Sequence, residues 1–477
     1  MYSNSMTLTI ENKTLQRIGA VADRHGVEAY VVGGYVRDLL LGKIVNDIDV
    51  VVVGSGIAFA KLVAKEFGLK KIVTYEKFGT AMMPWDGGKV EFVGSRKEKY
   101  VRDSRNPVVD PGTLEEDLSR RDFTVNAMAI ALNAPRWGEL VDPFGGEKDL
   151  ASRIIRTPLD PATTFDDDPL RILRAVRFAS QLDFTIDPPT RAAIAPIAER
   201  LSIISQERIT EEFMKVLASP KPSVGLLLMF DTGILRIIFP EAADLAGVEQ
   251  RQEHHHKDVF LHTCQVVDNI CTMTDNVYLR FAALLHDIAK PKTKKFIDGI
   301  GWTFHGHEEI GARMVKHIFR RLKLPFDKVP YVEKLVRLHQ RPMQLVDETV
   351  TDSAVRRILF EAGEEIDDLM TLCRADITSK NAKLVKQYSR NYDLVAAKMK
   401  EVEEKDRLRA FQPPVRGDEI MRITGLPAGK LVGVLKSHIE EAILDGKIPN
   451  EHDPALAYLL EIKDAVIREY RKNGSEF

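Results

Sequence analysis

Cysteine is scarce. Cys264, Cys271 and Cys373 are the only three in 477 residues, an odd number with no C-x-x-C spacing. That argues against a disulfide framework or a thiolate zinc site and suits a reducing cytoplasm. Long hydrophobic runs are missing as well. No stretch approaches the length of a membrane span, and Met1 to Ile10 has neither a basic n-region nor an apolar h-region. The expectation is a soluble, cytoplasmic protein with no membrane partner. An excess of one charge sign is also lacking, since 68 Lys and Arg stand against 70 Asp and Glu for a formal net charge of −2. Any nucleic-acid contact must then come from local patches. What remains is a globular composition, 44% hydrophobic and 29% charged. The chain is too long for one core, so about two to four domains are expected.

The most informative stretch runs from Val31 to Gly54: Val31-Val32-Gly33-Gly34-Tyr35-Val36-Arg37-Asp38 and on to Gly42, then Asn46-Asp47-Ile48-Asp49 and the apolar run Val50 to Val53. It reads as strand, glycine turn, short helix, strand. Gly33 and Gly34 let the backbone bend sharply and bring N–H groups up to a phosphate, and Gly42 stands where the helix ends. Asp47 and Asp49 are two apart on a strand, so both carboxylates leave one face. Acidic groups at that spacing repel each other unless a cation lies between them, which points to a divalent metal and to phosphoryl chemistry.

These residues resemble the nucleotidyltransferase superfamily that includes DNA polymerase beta. Within it they resemble the bacterial tRNA nucleotidyltransferase and poly(A) polymerase family, whose head opens with G-G-x-V-R-D and then D-x-D. Arg120-Arg121-Asp122-Phe123-Thr124-Val125-Asn126-Ala127 matches that family's R-R-D-F-T-x-N-A element, and Val141-Asp142-Pro143-Phe144-Gly145-Gly146 its D-P-x-x-G element. A guanidinium pair suits phosphate oxygens, while a nearby carboxylate and amide suit ribose hydroxyls. A helix over 57–67 and strands around Ile72–Val73, Thr80–Met83 and Val90–Val93 follow the glycine turn. Glu91, between Val90 and Phe92, is either a third metal carboxylate or a surface residue on a half-exposed strand. The polar, proline-broken stretch Arg102 to Val108 is expected to be a mobile loop. It resembles the flexible loop of family members that add the terminal A, or it is an ordinary solvated loop.

From Leu150 amphipathic helices take over. Phe165-Asp166-Asp167-Asp168-Pro169-Leu170-Arg171 resembles the family's E-D-x-x-R motif, with Asp167 in place of the Glu. Asp168 and Arg171, three apart, are expected on one helix face, with Arg174 a turn further on. Cytosine and adenine each present an amino donor beside a ring-nitrogen acceptor; uracil and guanine present a carbonyl acceptor beside an N–H donor. A carboxylate next to a guanidinium therefore suits CTP and ATP, and rejection of the others on the order of thousands-fold is reasonable for such a site. Arg208 and Glu212, at i,i+4, are expected to buttress this neck.

Beyond Pro240 a second chemistry begins. Most of the twelve histidines fall here: His254-His255-His256, His262, His286 within Leu285-His286-Asp287, His305, His307 and His339. With Asp376 they resemble the H…HD…D pattern of the HD phosphohydrolase superfamily. His262, His286, Asp287 and Asp376 would hold one divalent metal, and His307 with His339 a second. Imidazole and carboxylate suit Mn, Ni, Fe or Zn in a site that hydrolyses a phosphoester; the alternative is helix-packing histidines. The basic set Arg313, Lys316, Arg320, Arg321 and Lys323 is either an RNA contact or a solvated helix face.

The fold expected is α+β: a mixed-sheet nucleotidyltransferase head (1–150), then an all-helical body. The body comprises a nucleotide-reading neck (151–245), an HD domain (246–385) and an RNA-binding candidate tail (386–477). The resemblance implies template-independent addition of CCA to tRNA from CTP and ATP, with no DNA partner. Asp47 and Asp49 would carry two Mg2+ ions. Gly33, Gly34, Arg37, Arg121, Asp122, Asn126, Asp168, Arg171 and Arg174 would bind the nucleotide. Two rivals remain: a poly(A) polymerase, and an HD phosphohydrolase whose head only binds RNA.

Overall fold

The strands of the first half build a seven-stranded mixed sheet in which Ala29–Val32 and Ala129–Ala131 are buried throughout and, along Asp47–Val52, exposure alternates only at Asp47, Ile48 and Asp49. A computed structural model of the protein describes all residues except 1–5, 46, 77–78, 86–87, 102–103, 253–254, 299–300, 347–350, 380, 407–413 and 474–477. The elements leading to the site are α1 (Lys13–His25), β1 (Ala29–Val32), α2 (Gly34–Leu40), β2 (Asp47–Val52), α3 (Gly56–Glu66), β3 (Val73–Tyr75), β4 (Thr80–Trp85) and β5 (Gly88–Gly94). They continue with β6 (Arg96–Val101), β7 (Ser104–Pro111), α4 (Leu114–Ser119), β8 (Ala129–Ala131), β9 (Leu140–Val141), α5 (Gly146–Ala151), α6 (Pro161–Asp167) and α7 (Leu170–Leu182). The sheet order is β3-β4-β5-β2-β1-β8-β9. Only β2 and β5 run parallel in it.

The pattern of β2 explains where the carboxylates go. Ile48 and Val50 to Val52 are buried while Asp47 and Asp49 are exposed. One face of the sheet packs on α3, where Phe59 meets Phe92 edge-on at 5.9 Å. The other carries the cluster of Tyr30, Val32, Val51, Leu118, Ala127, Ala129 and Ala131. In register, Val32 stands opposite Asp49 and Tyr30 opposite Val51. The carboxylates thus sit at the open end of an apolar face, supported from behind by burial.

The stretch expected to be a mobile loop is instead part of an antiparallel ribbon. Arg96–Val101 pairs with Ser104–Pro111, while Arg102 and Asp103 lie outside the described residues. Pro107, which suggested a break, falls opposite the register shift between Lys99 and Val101, where a missing N–H is tolerated.

The chain divides into two units, Met1–Ala243 and Asp244–Phe477. The second is helical apart from short hairpins, one of them Lys295–Ile297 with Gly301–Thr303. Its last helices, Gly417–Thr424, Lys430–Leu444 and His452–Asn473, share their own core around Ile420, Leu435, Ile439 and Leu459. Among the described residues no helix is long and apolar enough to cross a membrane.

Candidate active site and candidate metal centre

Gly33 caps α2 with φ 72, a conformation that favours glycine, and a Cβ there would lie 2.9 Å from Arg121 Nη1. The turn therefore lets Arg121 come close to Asp49. Gly33's own N–H donates to the Met128 carbonyl (3.2 Å), so the amides of the first turn that are left for a ligand begin at Gly34. Parallel pairing puts Glu91 of β5 in register with Asp49, and Lys89 with Asp47. Asp49 is exposed by area yet lies in a cleft crowded by protein. That crowding raises its carboxyl pKa, helped by Asp47 and opposed by Arg121 and Lys89. Burial raises the Glu91 carboxyl too, and Asp49 adds to it. Two carboxylates on one face, with a third in register and the ionised forms of Asp49 and Glu91 both disfavoured, fit a divalent cation.

The arginines are held from below by a residue the motif reading missed. Asp117, on α4, is completely buried, accepting from Arg120 (2.6 Å) and from Arg121 (3.1 Å). Its only sequence signal is its place three and four residues before the pair. Further along, the sequence-picked residues form one hydrogen-bonded chain. Arg37 forks onto Asp38 (2.9 and 2.8 Å) and donates to Asn126 Oδ1 (2.7 Å). Asn126 donates to Asp122 (3.0 Å), which also takes Arg174 (2.7 Å). Burial works to raise the Asp122 carboxyl, but Arg174, Asn126 and Arg171 more than offset it and hold it below the ordinary carboxylate value.

Asp168 and Arg171 do not share a helix as expected. Asp168 ends α6 in extended backbone (φ −139, ψ 97), Pro169 follows, and α7 begins at Leu170. A residue before proline is pushed out of the helical region, and here its carboxylate accepts from the Leu170 N–H (3.2 Å) instead. Arg171 is buried and donates to the carbonyls of Thr164 (3.2 Å) and Arg120 (2.6 Å). Glu212 braces the neck by pairing with Arg177 of α7 at 2.8 Å, whereas Arg208 does not take part in that bridge. Arg208 turns to the cavity.

That cavity, about 700 Å3, joins these parts. Gly33, Gly34, Arg37, Asp47 and Asp49 line one side; Arg121, Asp122, Asn126, Asp168, Arg171 and Arg174 line the rest, with Arg177, Gln181 and Arg208 added by the fold. A hollow of about 390 Å3 shares Asp49, Arg120 and Arg121 and adds Glu91 and Arg96. Asp142, of the D-P-x-x-G element, accepts the Gly146 and Glu147 amides (2.7 and 2.9 Å) and starts α5. A Cβ on Gly146 would lie 2.2 Å from the Thr124 carbonyl, so glycine is required where α5 meets the Thr124 segment.

In the second unit the predicted ligands come from helices Val259–Cys271, Val277–Leu285, His307–Arg321, Val329–Leu338 and Ile366–Ala375, mostly from their ends. Among the described residues two groups of three can each hold a metal: His262, His286 and Asp376, and Asp287, His307 and His339. Asp287 faces both sets: its Oδ2 lies 3.1 Å from His286 Nε2 and 3.6 Å from His262 Nε2, and its Oδ1 3.3 Å from His307 Nε2 and 3.9 Å from His339 Nε2. Each imidazole is aimed by its other nitrogen. His286 Nδ1 binds the Ala283 carbonyl (2.7 Å), His307 the Phe304 carbonyl (2.8 Å), His339 the Val336 carbonyl (2.7 Å) and His262 the Thr378 hydroxyl (2.9 Å). Among the described residues the buried Nε2 of His339 makes no hydrogen bond, while that of His286 lies against the Asp287 carboxylate. One orphaned, buried nitrogen within a convergent set of imidazoles and carboxylates fits a metal ion. Burial works to lower the His286 pKa, but Asp287 and Asp376 carry it up to about 9. His339, facing His286 and His307, is lowered to about 3, chiefly by burial. Lys290, unforeseen from sequence, donates to Asp287 Oδ2 at 2.6 Å. The basic set lies on His307–Arg321 and just past its end, with Arg313 paired to Glu309. His254 lies outside the described residues, and His255 and His256 stand in a short strand.

Residues 29–156 match the Poly A polymerase head domain, 183–245 the Probable RNA and SrmB-binding site of polymerase A, and 259–381 the HD domain. An A-adding tRNA nucleotidyltransferase of Deinococcus radiodurans is 34% identical over 71% of this chain and 77% of its own. A multifunctional CCA protein of Xanthomonas campestris pv. campestris is 37% identical over 73% and 85%. In structure the chain is similar to the Bacillus stearothermophilus CCA-adding enzyme in complex with CTP, with a TM-score of 0.65 and 26% identity over 97% of this chain and 100% of that one. The chain belongs to the bacterial tRNA nucleotidyltransferase and poly(A) polymerase family, in the branch that carries an HD domain, and both of its matched catalytic modules imply dependence on divalent metal.

Proposed function

We propose, from that membership, that this chain is an enzyme of the cytoplasm that builds or repairs the 3′-terminal CCA of tRNA from CTP and ATP. The observation that carries the reading is the single cavity in which the glycine turn, the paired aspartates, the arginine segment and the Asp168–Arg171 pair face one another. The oxygen of the RNA 3′-hydroxyl bonds to the α-phosphorus, the bond to the bridging oxygen breaks, pyrophosphate leaves with the electron pair and the hydroxyl proton goes to water. Asp47 and Asp49, with Glu91 beside them, would hold Mg2+. When bound it supplies charge that polarises the α-phosphate and lowers the pKa of the attacking hydroxyl. Arg120 and Arg121, fixed by Asp117, offer donors to the phosphates. Asp122 and Asn126 position the sugar. Asp168 accepts from the amino group of C or A, and Arg171 donates to the neighbouring ring nitrogen. Two of Arg171's five N–H groups are already committed to main-chain carbonyls, which fixes the plane of the rest. Incubation with tRNA lacking its 3′ end, CTP and ATP should release pyrophosphate. Asp49→Asn should release none; release at the parent rate would refute the assignment.

For the histidine cluster we propose a second activity, hydrolysis of a phosphoester in which water adds to phosphorus and an ester P–O bond breaks. The unpartnered Nε2 of His339 and the convergence of His262, His286, His307, Asp287 and Asp376 around it favour this activity. The residues suit Mn, Ni, Fe or Zn. Hydrolysis of a phosphomonoester should stop on metal stripping and in Asp287→Ala.

A further inference from the structure

Between two metal-ligand segments of the second unit the chain makes a small hairpin whose outward face the function so far does not use. It follows Lys290-Pro291-Lys292-Thr293-Lys294 and pairs Lys295–Ile297 with Gly301–Thr303. Phe296 and Trp302 stand directly across from each other, so both rings leave the same face. They are 56% and 40% exposed, with ring centroids 5.2 Å apart in an edge-to-face contact. Two large aromatics side by side in water lose the burial that ordinarily places such residues. The surroundings are cationic. Lys294 Nζ lies 4.4 Å from the Trp302 ring centroid, and Lys292 and Lys295 are exposed. The strand then leads through Phe304, whose carbonyl takes the Nδ1 of His307, a ligand of the metal group. On the other side Lys290 reaches Asp287 and lies 5.6 Å from the Phe304 ring.

We infer that this hairpin is a stacking surface for single-stranded RNA, with Phe296 and Trp302 taking a base and Lys292, Lys294 and Lys295 the flanking phosphates. The rings alone would suit any apolar partner; the lysines select a polyanion with flat apolar faces, and a nucleic-acid strand is both. Because the hairpin is anchored on both sides to residues of the histidine cluster, a base stacked there places its own phosphoester toward that cluster. This second step rests on the hydrolase reading above. The stacking surface itself does not.

The test uses the full chain with Trp85→Phe and Trp137→Phe, which leaves Trp302 as the sole indole. A short single-stranded oligoribonucleotide should quench its emission, and Phe296→Leu and Lys294→Gln should each weaken that binding by roughly tenfold, the size of one lost stacking or charge contact. Unchanged Trp302 emission when the same oligonucleotide is bound elsewhere on the protein overturns the inference. So does a dimer in gel filtration that Phe296→Leu dissolves, which would make the face a contact between copies. A second arm separates the two readings. Trp302→Leu should raise KM for a nucleoside 2′,3′-cyclic phosphate while hydrolysis of a base-free phosphomonoester stays at the parent level. If the parent hydrolyses neither ester, the hydrolase reading fails and the quenching result still decides the surface. If Trp302→Leu changes neither KM, the link between surface and cluster fails.

Discussion

At the scale of single residues the two carboxylates of β2 are the centre of the account. Their period of two, beside a run of valines, made them legible in the sequence, since an acid on such a strand needs a reason to be there. Asp47→Ala or Asp49→Ala should abolish nucleotide incorporation while folding and tRNA binding persist; incorporation within tenfold of the parent would sink the assignment. The pH behaviour follows from the raised pKa of Asp49 and Glu91. A raised folded-state value means that protonation favours the fold, a contribution fully present below the unfolded value and lost as pH rises through the folded one. A divalent ion needs the ionised form and competes with protons over that same window. The metal concentration for half-maximal incorporation should therefore climb as pH falls through the raised carboxylate range, and climb less in Glu91→Gln; metal titrations across a pH series would show it. Asp117 was not legible. In Glu115-Glu116-Asp117 it reads as one of several acids at a helix start, and only folding shows it buried under two guanidiniums. Removing it takes the shared carboxylate from both, so Asp117→Ala should cost about 1–3 kcal/mol of stability in urea denaturation. Unchanged stability would mean that the arginines need no clamp.

At the scale of elements, proline decided where the reading from sequence and the folded chain part. Pro107 suggested a loop, yet a ribbon with shifted register absorbs it. Pro169 suggested the first turn of a helix holding Asp168, yet it separates α6 from α7 and leaves Asp168 in extended backbone. Residue spacing along a helix was the wrong ruler for a pair that straddles a helix boundary; the cavity nevertheless brings both members to one wall. The break is then a device for aiming the carboxylate. Pro169→Ala frees Asp168 to turn helical, and discrimination of CTP and ATP against UTP and GTP should fall about tenfold or more. Asp168→Ala should relax it as well. An equal loss of rate with all four nucleotides in these variants, selectivity intact, would show that the pair does not read the base.

At the scale of the whole molecule, all the residues of the nucleotidyl-transfer cavity lie in Met1–Ala243 and all the histidine ligands in Asp244–Phe477. The ligand types were legible because histidines crowd one part of the chain. What was not is that Asp287 faces both sets and which main-chain carbonyl orients each ring. Separate ligand sets predict separable chemistry: Asp287→Ala should lose metal-dependent phosphoester hydrolysis and keep incorporation, and Asp49→Ala should do the reverse. Loss of both activities in folded Asp287→Ala would mean coupled sites. The central claim is addition of CCA, and one measurement meets it most directly. Labelled tRNA lacking its 3′-terminal CCA is incubated with each nucleotide triphosphate singly and with CTP and ATP together, and the product ends are sequenced. The account predicts two C residues with CTP alone, CCA with both, and no defined addition with UTP or GTP. A run of A from ATP alone, or extension only of tRNA that already ends in CC, would contradict it.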